Sequence, residues 1–265
     1  MLAATYMKDR YRNNILFPKG RGLNEYLKVQ EISKEVFKAD KLYIPILAVD
    51  FPPEVSAKHR KELTAKWLET IPTLDNVKHL SLRHKVDQDF FEAVCNMKNL
   101  ECLTFWTSNV EDISSITKLK RLKRLDIDHF NRLENITPLK KLSNLEILTI
   151  ANSMSITNYD VIGELTGLIG LAIQGDQIAP RNLRLKSLKP FSKLKKLIHL
   201  DLLSTTVIDE SYDTILEMES LLRFDISSFI KKVLREKVKK HPNLNSGFFM
   251  DYDWDKKMFY DGKEW

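Results

Sequence analysis

Leu100 to Leu171 is a stretch that repeats itself. Leu100-Glu-Cys-Leu103-Thr-Phe105 is followed by Leu122-Lys-Arg-Leu125-Asp-Ile127, Leu145-Glu-Ile-Leu148-Thr-Ile150 and Leu168-Ile-Gly-Leu171-Ala-Ile173. The leading leucines stand 22, 23 and 23 residues apart. A fixed period in this range marks a solenoid, because one such unit cannot bury its own apolar residues and must stack on its neighbours. The last two apolar residues of each motif alternate with polar ones, as in a strand with one buried face. Stacked units then pair these strands in parallel. A second apolar set follows each strand, for example Val110, Ile113, Ile116 and Leu119, then Leu133, Ile136, Leu139 and Leu142. These residues are expected to fill the interior from the returning side.

The period extends in both directions to about seven repeats over residues 74–249. Val77-Lys-His-Leu80-Ser-Leu82 is the first, with a helical return from Gln88 to Met97. The interval from Leu168 to Leu197 is longer, 29 residues, and its excess lies within Asp176 to Leu188 and includes Arg181, Arg184 and Lys186. Leu197-Ile-His-Leu200-Asp-Leu202 precedes an expected helix from Asp209 to Met218. Leu221-Leu-Arg-Phe224-Asp-Ile226 precedes a basic helix from Phe229 to His241. Asn243 to Phe249 fits the strand template once more, with glycine at the second leucine position. Residues 250–265 leave the pattern with Tyr252, Trp254, Phe259, Tyr260 and Trp265, and are expected to cap the last repeat.

Upstream, Pro18, Gly20 and Gly22 interrupt a polar, basic segment, so residues 1–22 are expected to be a mobile tail. Residues 23–73 are expected to cap the solenoid. They comprise a helix from Leu23 to Lys38, a strand from Lys41 to Asp50, and a helix opened by Pro52 and Pro53 that reaches Thr70 and buries Val55, Leu63, Trp67 and Leu68. Pro45 lacks an amide proton, which suits an edge strand.

Hydrophobic residues make up 43% of the chain, enough for a full core. Lys and Arg number 42 against 36 Asp and Glu, a net charge of +6 with both signs mixed. That balance describes a solvated surface better than a dedicated polyanion binder. No apolar run is long enough for a secretory leader or a bilayer span, so a cytoplasmic setting is expected. Two cysteines, Cys95 and Cys102, make no disulfide framework and have no spaced partners for zinc.

These motifs resemble the leucine-rich repeat family, and the short units are most similar to the internalin-type repeats of bacteria. The resemblance implies an α/β fold: a right-handed solenoid (a horseshoe or arc) with a parallel sheet on its concave side, and a role in binding proteins. With the caps read above, the expected ends are a helix-strand-helix at the N-terminus and an aromatic cap at the C-terminus. The sequence departs from the family at the place three residues after the last strand leucine, where an asparagine is usual. Here that place holds Lys85, Ser108, Phe130, Ser153, Asp176, Thr205 and Phe229.

Strand alternation says which side chains point away from the leucines. The outward residues expected to form a partner-binding face are Arg83, Trp106, Arg124, Asp126, Asp128, Thr149, Gln174, His199, Asp201, Leu203, Arg223 and Asp225. Small, uncharged residues in the two middle repeats, with Trp106 and Leu203 flanking them and charges beyond, have the composition of a protein-binding patch. Arg124 with Asp126, and His199 with Asp201, are expected to be surface pairs. No Gly-rich phosphate loop, GxSxG or HExxH occurs, so no catalytic residue, metal or cofactor is expected. The expected function is a non-catalytic module that blocks, sequesters or scaffolds a protein, and a bacterial immunity protein would fit. The alternative is binding of nucleic acid or an acidic surface by a basic edge. Three runs would form it: Lys118 to Arg124, Lys189 to Lys196, and Lys231 to Lys240.

Overall fold

The computed structural model describes residues 14–17, 23–45, 56–176, 182–226, 230–253 and 258–259. They belong to two compact units. One comprises residues 22–146 and 152–156; the other comprises residues 1–21, 147–151 and 157–265.

In the first unit, strands β1 (Leu27–Lys28), β2 (Lys41–Ile44), β3 (His79–Val86), β4 (Cys102–Ser108) and β5 (Arg124–Asp128) lie side by side in that order, all parallel. Leucine positions meet in register. Leu80 pairs with Leu103, which pairs with Leu125, and Phe105 lies between Leu82 and Ile127. Helix α1 (Ala57–Thr70) joins β2 to β3, and helix α2 (Gln88–Val94) joins β3 to β4. Ser56 caps α1 by accepting the His59 amide, and Asp87 caps α2 by accepting that of Phe90. Further along, the returns shorten to single 3-10 turns at Ser114–Lys118 and Thr137–Lys141. Their apolar residues recur every third position: Ile113, Ile116 and Leu119, then Ile136, Leu139 and Leu142. A helix with three residues per turn puts such a series on one side. All six are at most 2% exposed.

The second unit repeats the plan. Strands β6 (Ile147–Ala151), β7 (Gly170–Gln174), β9 (His199–Leu202) and β11 (Arg223–Ile226) are parallel and adjacent in that order. Three-residue spacing again gives 3-10 turns, at Asp160–Glu164, Lys189–Lys193 and Tyr212–Glu217. The long interval builds β8 (Leu183–Leu185), which pairs in parallel with β10 (Thr205–Val207) as a small second sheet. Helices α3 (Lys232–Val238) and α4 (Phe248–Asp251) follow β11.

Several expectations are corrected. Residues 23–38 do not form a helix. They hold a 3-10 turn at Leu23–Glu25, the short strand β1, and turns secured by Asn76, whose Nδ2 donates to the carbonyls of Val36 and Ala39. The apolar residues of this stretch do not share one face, since Val36 is buried and its neighbour Phe37 is 52% exposed. Strand β2 is not an edge, because β1 covers its far side; Pro45 avoids the ladder by standing past the strand end. The expected helix at Asp209–Met218 is a 3-10 turn. Among the described residues, the eighth strand motif makes a single bridge, from Ser246 to Arg223. At Gly247 the chain turns away with φ +96°, where a Cβ would lie 2.5 Å from the Phe224 carbonyl oxygen, so glycine ends the pattern. The expected mobile tail does not hold for residues 14–17: Leu16 is fully buried. Val55, Arg181, Phe229, Trp254, Tyr260 and Trp265 lie outside the described residues.

Two substitutions test this packing. Leu148 is completely buried, and Leu148→Ala should cost about 2–5 kcal/mol in a denaturant titration. Gly163 sits where a Cβ would meet the backbone oxygen of Pro190 at 2.1 Å. Backbone cannot swing aside as a side chain can, so Gly163→Ala should cost about 1–3 kcal/mol. An unchanged midpoint for both would show that the stacking register is misassigned.

Candidate functional site

The residues of interest line the sheet face opposite the leucines. In the first unit, β3 and β4 carry Ser81, Arg83 and Trp106 there. Trp106 is 40% exposed, its Nε1 donates to Ser81 Oγ at 3.4 Å, and the Arg83 guanidinium lies 5.2 Å from its ring centroid. Arg83 is exposed as well. On β5, Arg124 instead grips Asp126 along its own strand, with Nε and Nη2 donating to the two carboxylate oxygens at 2.9 and 3.0 Å. Residues two apart on a strand share a face, which brings the guanidinium fork onto the carboxylate. Thr104 Oγ1 donates to the same carboxylate at 3.0 Å. Arg124 and Asp126 are 8% and 7% exposed, so the expected surface pair is a buried one. Asp128 is half-buried and accepts from Asn152 Nδ2 at 2.8 Å.

In the second unit, the same face holds a buried polar network. Arg223 forks onto Asp225 at 2.7 and 3.1 Å, His199 Nε2 lies 2.7 Å from Asp225 Oδ2, and the Phe248 amide donates to Asp225 Oδ1. Asp201 accepts from Gln174 Nε2 at 2.7 Å and from the Leu203 amide at 2.9 Å. His199 is 0% exposed, Asp201 3%, Asp225 5%, and Arg223, Gln174 and Thr149 each 7%; Leu203 is half-buried. Eight of the twelve residues expected to meet a partner are therefore withdrawn from solvent. Alternation gives the side a residue points to, while hydrogen bonds to neighbours on the same and adjacent strands hold these residues down on the sheet.

Protonation follows from this geometry. Burial pushes the Asp225 carboxyl up, yet the His199 hydrogen bond and the Arg223 charge outweigh it and hold Asp225 below its ordinary value. Burial pushes His199 down, against the opposing pull of Asp225. A neutral imidazole thus donates from Nε2 to an ionised Asp225, leaving Nδ1 as a bare acceptor. Burial, then the nearby Asp225 charge, raise Asp201 from an ordinary 3.8 to about 7, more than its two donors offset. Atoms of His199, Asp201 and Asp225 lie within 4.8 Å of one another, a spacing that can hold a metal ion. Here the donor set is committed otherwise: Arg223 occupies the cation's place on Asp225, and both Asp201 oxygens accept protein hydrogens.

Two polar series escaped the sequence reading. Asn99, Asn144 and Asn243, each just before a leading leucine, donate to backbone oxygens of Asp75, Lys120 and Glu219. On the far side of the strands, Ser108 Oγ donates to the Val86 carbonyl, Ser153 Oγ accepts the Phe130 amide and Thr205 Oγ1 donates to the Ile173 carbonyl. These hydroxyls satisfy backbone groups just past the strands, and the asparagines do so at the strand approach. The recurring Asn-Leu pair was the signal.

The raised Asp201 makes stability depend on pH. Its contribution is fully present below about pH 4 and is lost as pH rises through about 7. Asp201→Asn removes that ionisation and leaves an oxygen for the Leu203 amide. Measured by denaturant titration, the variant should gain stability relative to the unaltered chain between pH 5 and 8. A stability difference constant across that range would contradict the assignment.

A family model described as a leucine-rich repeat region matches residues 56–245. No curated relative matches the sequence. Among solved structures, internalin C2 of Listeria monocytogenes is similar, with 22% identity and a TM-score of 0.54 over 68% of this chain and 74% of that one. An internalin F of the same organism gives 16% identity and a TM-score of 0.50, over 84% of this chain and 66% of that one. At such identities the structures speak for the fold alone. The repeats, the register of the parallel strands and the family match together place this chain in the leucine-rich repeat family.

Proposed function

We propose that this chain is a non-catalytic protein-binding module whose sheet face grips a partner through Trp106, with Arg83 beside it. The observation that carries the reading is the exposure of Trp106 on a face whose other large side chains are mostly buried. The indole is held in place by Ser81 and by the Arg83 guanidinium, so a partner would meet a preset aromatic surface. Tryptophan and arginine are the residue types that most often dominate interface energies. Binding there would block, sequester or scaffold the partner. A bacterial immunity protein that neutralises a toxin enzyme is one setting that fits by analogy.

The basic runs favour this reading over nucleic-acid binding. Lys123 pairs with Glu101 at 2.8 Å, Lys231 pairs with Glu210, and Lys195 Nζ donates to the Glu217 carbonyl at 2.7 Å. Acidic and carbonyl neighbours along the runs lower the positive potential that phosphates would need.

The test begins with the protein that co-purifies from the native host. Trp106→Ala should weaken its binding by about thirtyfold or more, as loss of an interface anchor typically does. The melting curve should stay in place, and Lys140→Ala on the return turn should bind normally. Full affinity in Trp106→Ala would overturn the proposal.

A further inference from the structure

The sheet face of the second unit is partly covered by the chain itself. Residues 14–17 have no helix or strand to hold them in place. Leu16 nevertheless has none of its surface exposed, and Ile15 is half-buried. Their position is fixed by Gly170. A Cβ on this glycine would lie 3.0 Å from Leu16 Cδ2 and 3.3 Å from Ile15 Cδ1. Gly170 is in the outward series of β7, since Leu171 and Ile173 belong to the leucine side. Ile15 and Leu16 therefore rest on the outward face, above the glycine. Asn14 Oδ1 accepts the Phe17 amide at 2.9 Å, which bends the segment there and leaves Phe17 41% exposed.

Comparison of the repeats explains why the segment lands here. The place of Gly170 is taken by His79, Cys102, Arg124, Ile147, His199 and Arg223 in the others. Each of those residues carries a Cβ, which at position 170 would lie 3.0 Å from Leu16 Cδ2. Ala172, two residues on and on the same strand face, is also small and is 0% exposed. Glycine and alanine two apart on one strand face leave room between Ile147 and Thr149 on one side and His199 and Asp201 on the other, and Leu16 packs over the glycine.

We propose that Gly170 opens a socket for two adjacent aliphatic side chains, that Ile15–Leu16 is its intramolecular occupant, and that a peptide segment presenting the same pair competes for it. The inference deepens the protein-binding reading, on which it rests, by naming the ligand class for this half of the face: a short apolar peptide segment. The covering segment then acts as a built-in competitor.

The probe is a fluorescein-labelled peptide with the sequence of residues 12–19, titrated into the full chain and followed by anisotropy. A chain carrying both Ile15→Asp and Leu16→Asp should release its own segment and bind the peptide at least about tenfold more tightly than the unaltered chain. Adding Gly170→Leu should abolish that gain by filling the socket. Equal affinity in the two chains, or binding indifferent to Gly170→Leu, overturns the proposal. If the aspartate variant does not fold, the unaltered chain decides. Excess peptide should speed deuterium uptake at residues 15–17 and leave Leu148 unchanged; no change at residues 15–17 overturns it. The assay uses no natural partner, so its failure leaves the Trp106 reading standing, and failure at Trp106 leaves the socket standing.

Discussion

Within each unit, neighbouring strands are joined at their starts by a shared backbone carbonyl. The amides of Lys78 and His79 converge on the Asp40 oxygen, those of Glu101 and Cys102 on Lys78, and those of Lys123 and Arg124 on Glu101. Ile198 and His199 do the same on Ile169, then Leu222 and Arg223 on Ile198. This clamp fixes the start of each strand, and the parallel ladder carries the register onward. A slip of one residue would turn every leucine outward and every outward residue in, so the interior and the outward face are set by the same bonds. The asparagines before the leading leucines secure the approach to the clamp. Hydroxyls of Ser108, Ser153 and Thr205 secure the turn beyond the strand.

The strands and interior were legible because stacking imposes two short periods on the sequence: two residues along the strand and three around the return turn. Leu103, Leu125, Leu148, Ile116 and Leu139 all lie where those periods put them. Where no period constrains the chain, the reading failed. Residues 23–38 lack a neighbour repeat to enforce spacing, and there the chain makes β1 and turns in place of the expected helix. Gly247 looked like a weak strand residue and is instead the point where the backbone must leave the sheet.

The outward face shows a different limit. Alternation assigned the direction of the candidate residues, but direction alone does not set their burial. Arg124 lies down along β5 on Asp126, and Arg223 along β11 on Asp225, because residues two apart on a strand share a face. Buried ion pairs of this kind do little for net stability once desolvation is counted, but each removes two charges from the surface available to a partner. The cover over Gly170 comes from Leu16, more than a hundred residues away in sequence. Of the twelve residues, Trp106 and Arg83 are the exposed ones in the first unit, with Asp128 half-buried.

That division of the face into withdrawn and available arginines can be measured without knowing any partner. Arginine-selective modification of the folded chain with phenylglyoxal, followed by peptide mapping, reports each guanidinium separately. Arg83 should react readily, while Arg124 and Arg223, whose side chains are 10% and 8% exposed, should be protected until the chain unfolds. Equal reactivity of the three in the folded state would mean that the ion pairs are open to solvent, and would contradict the account.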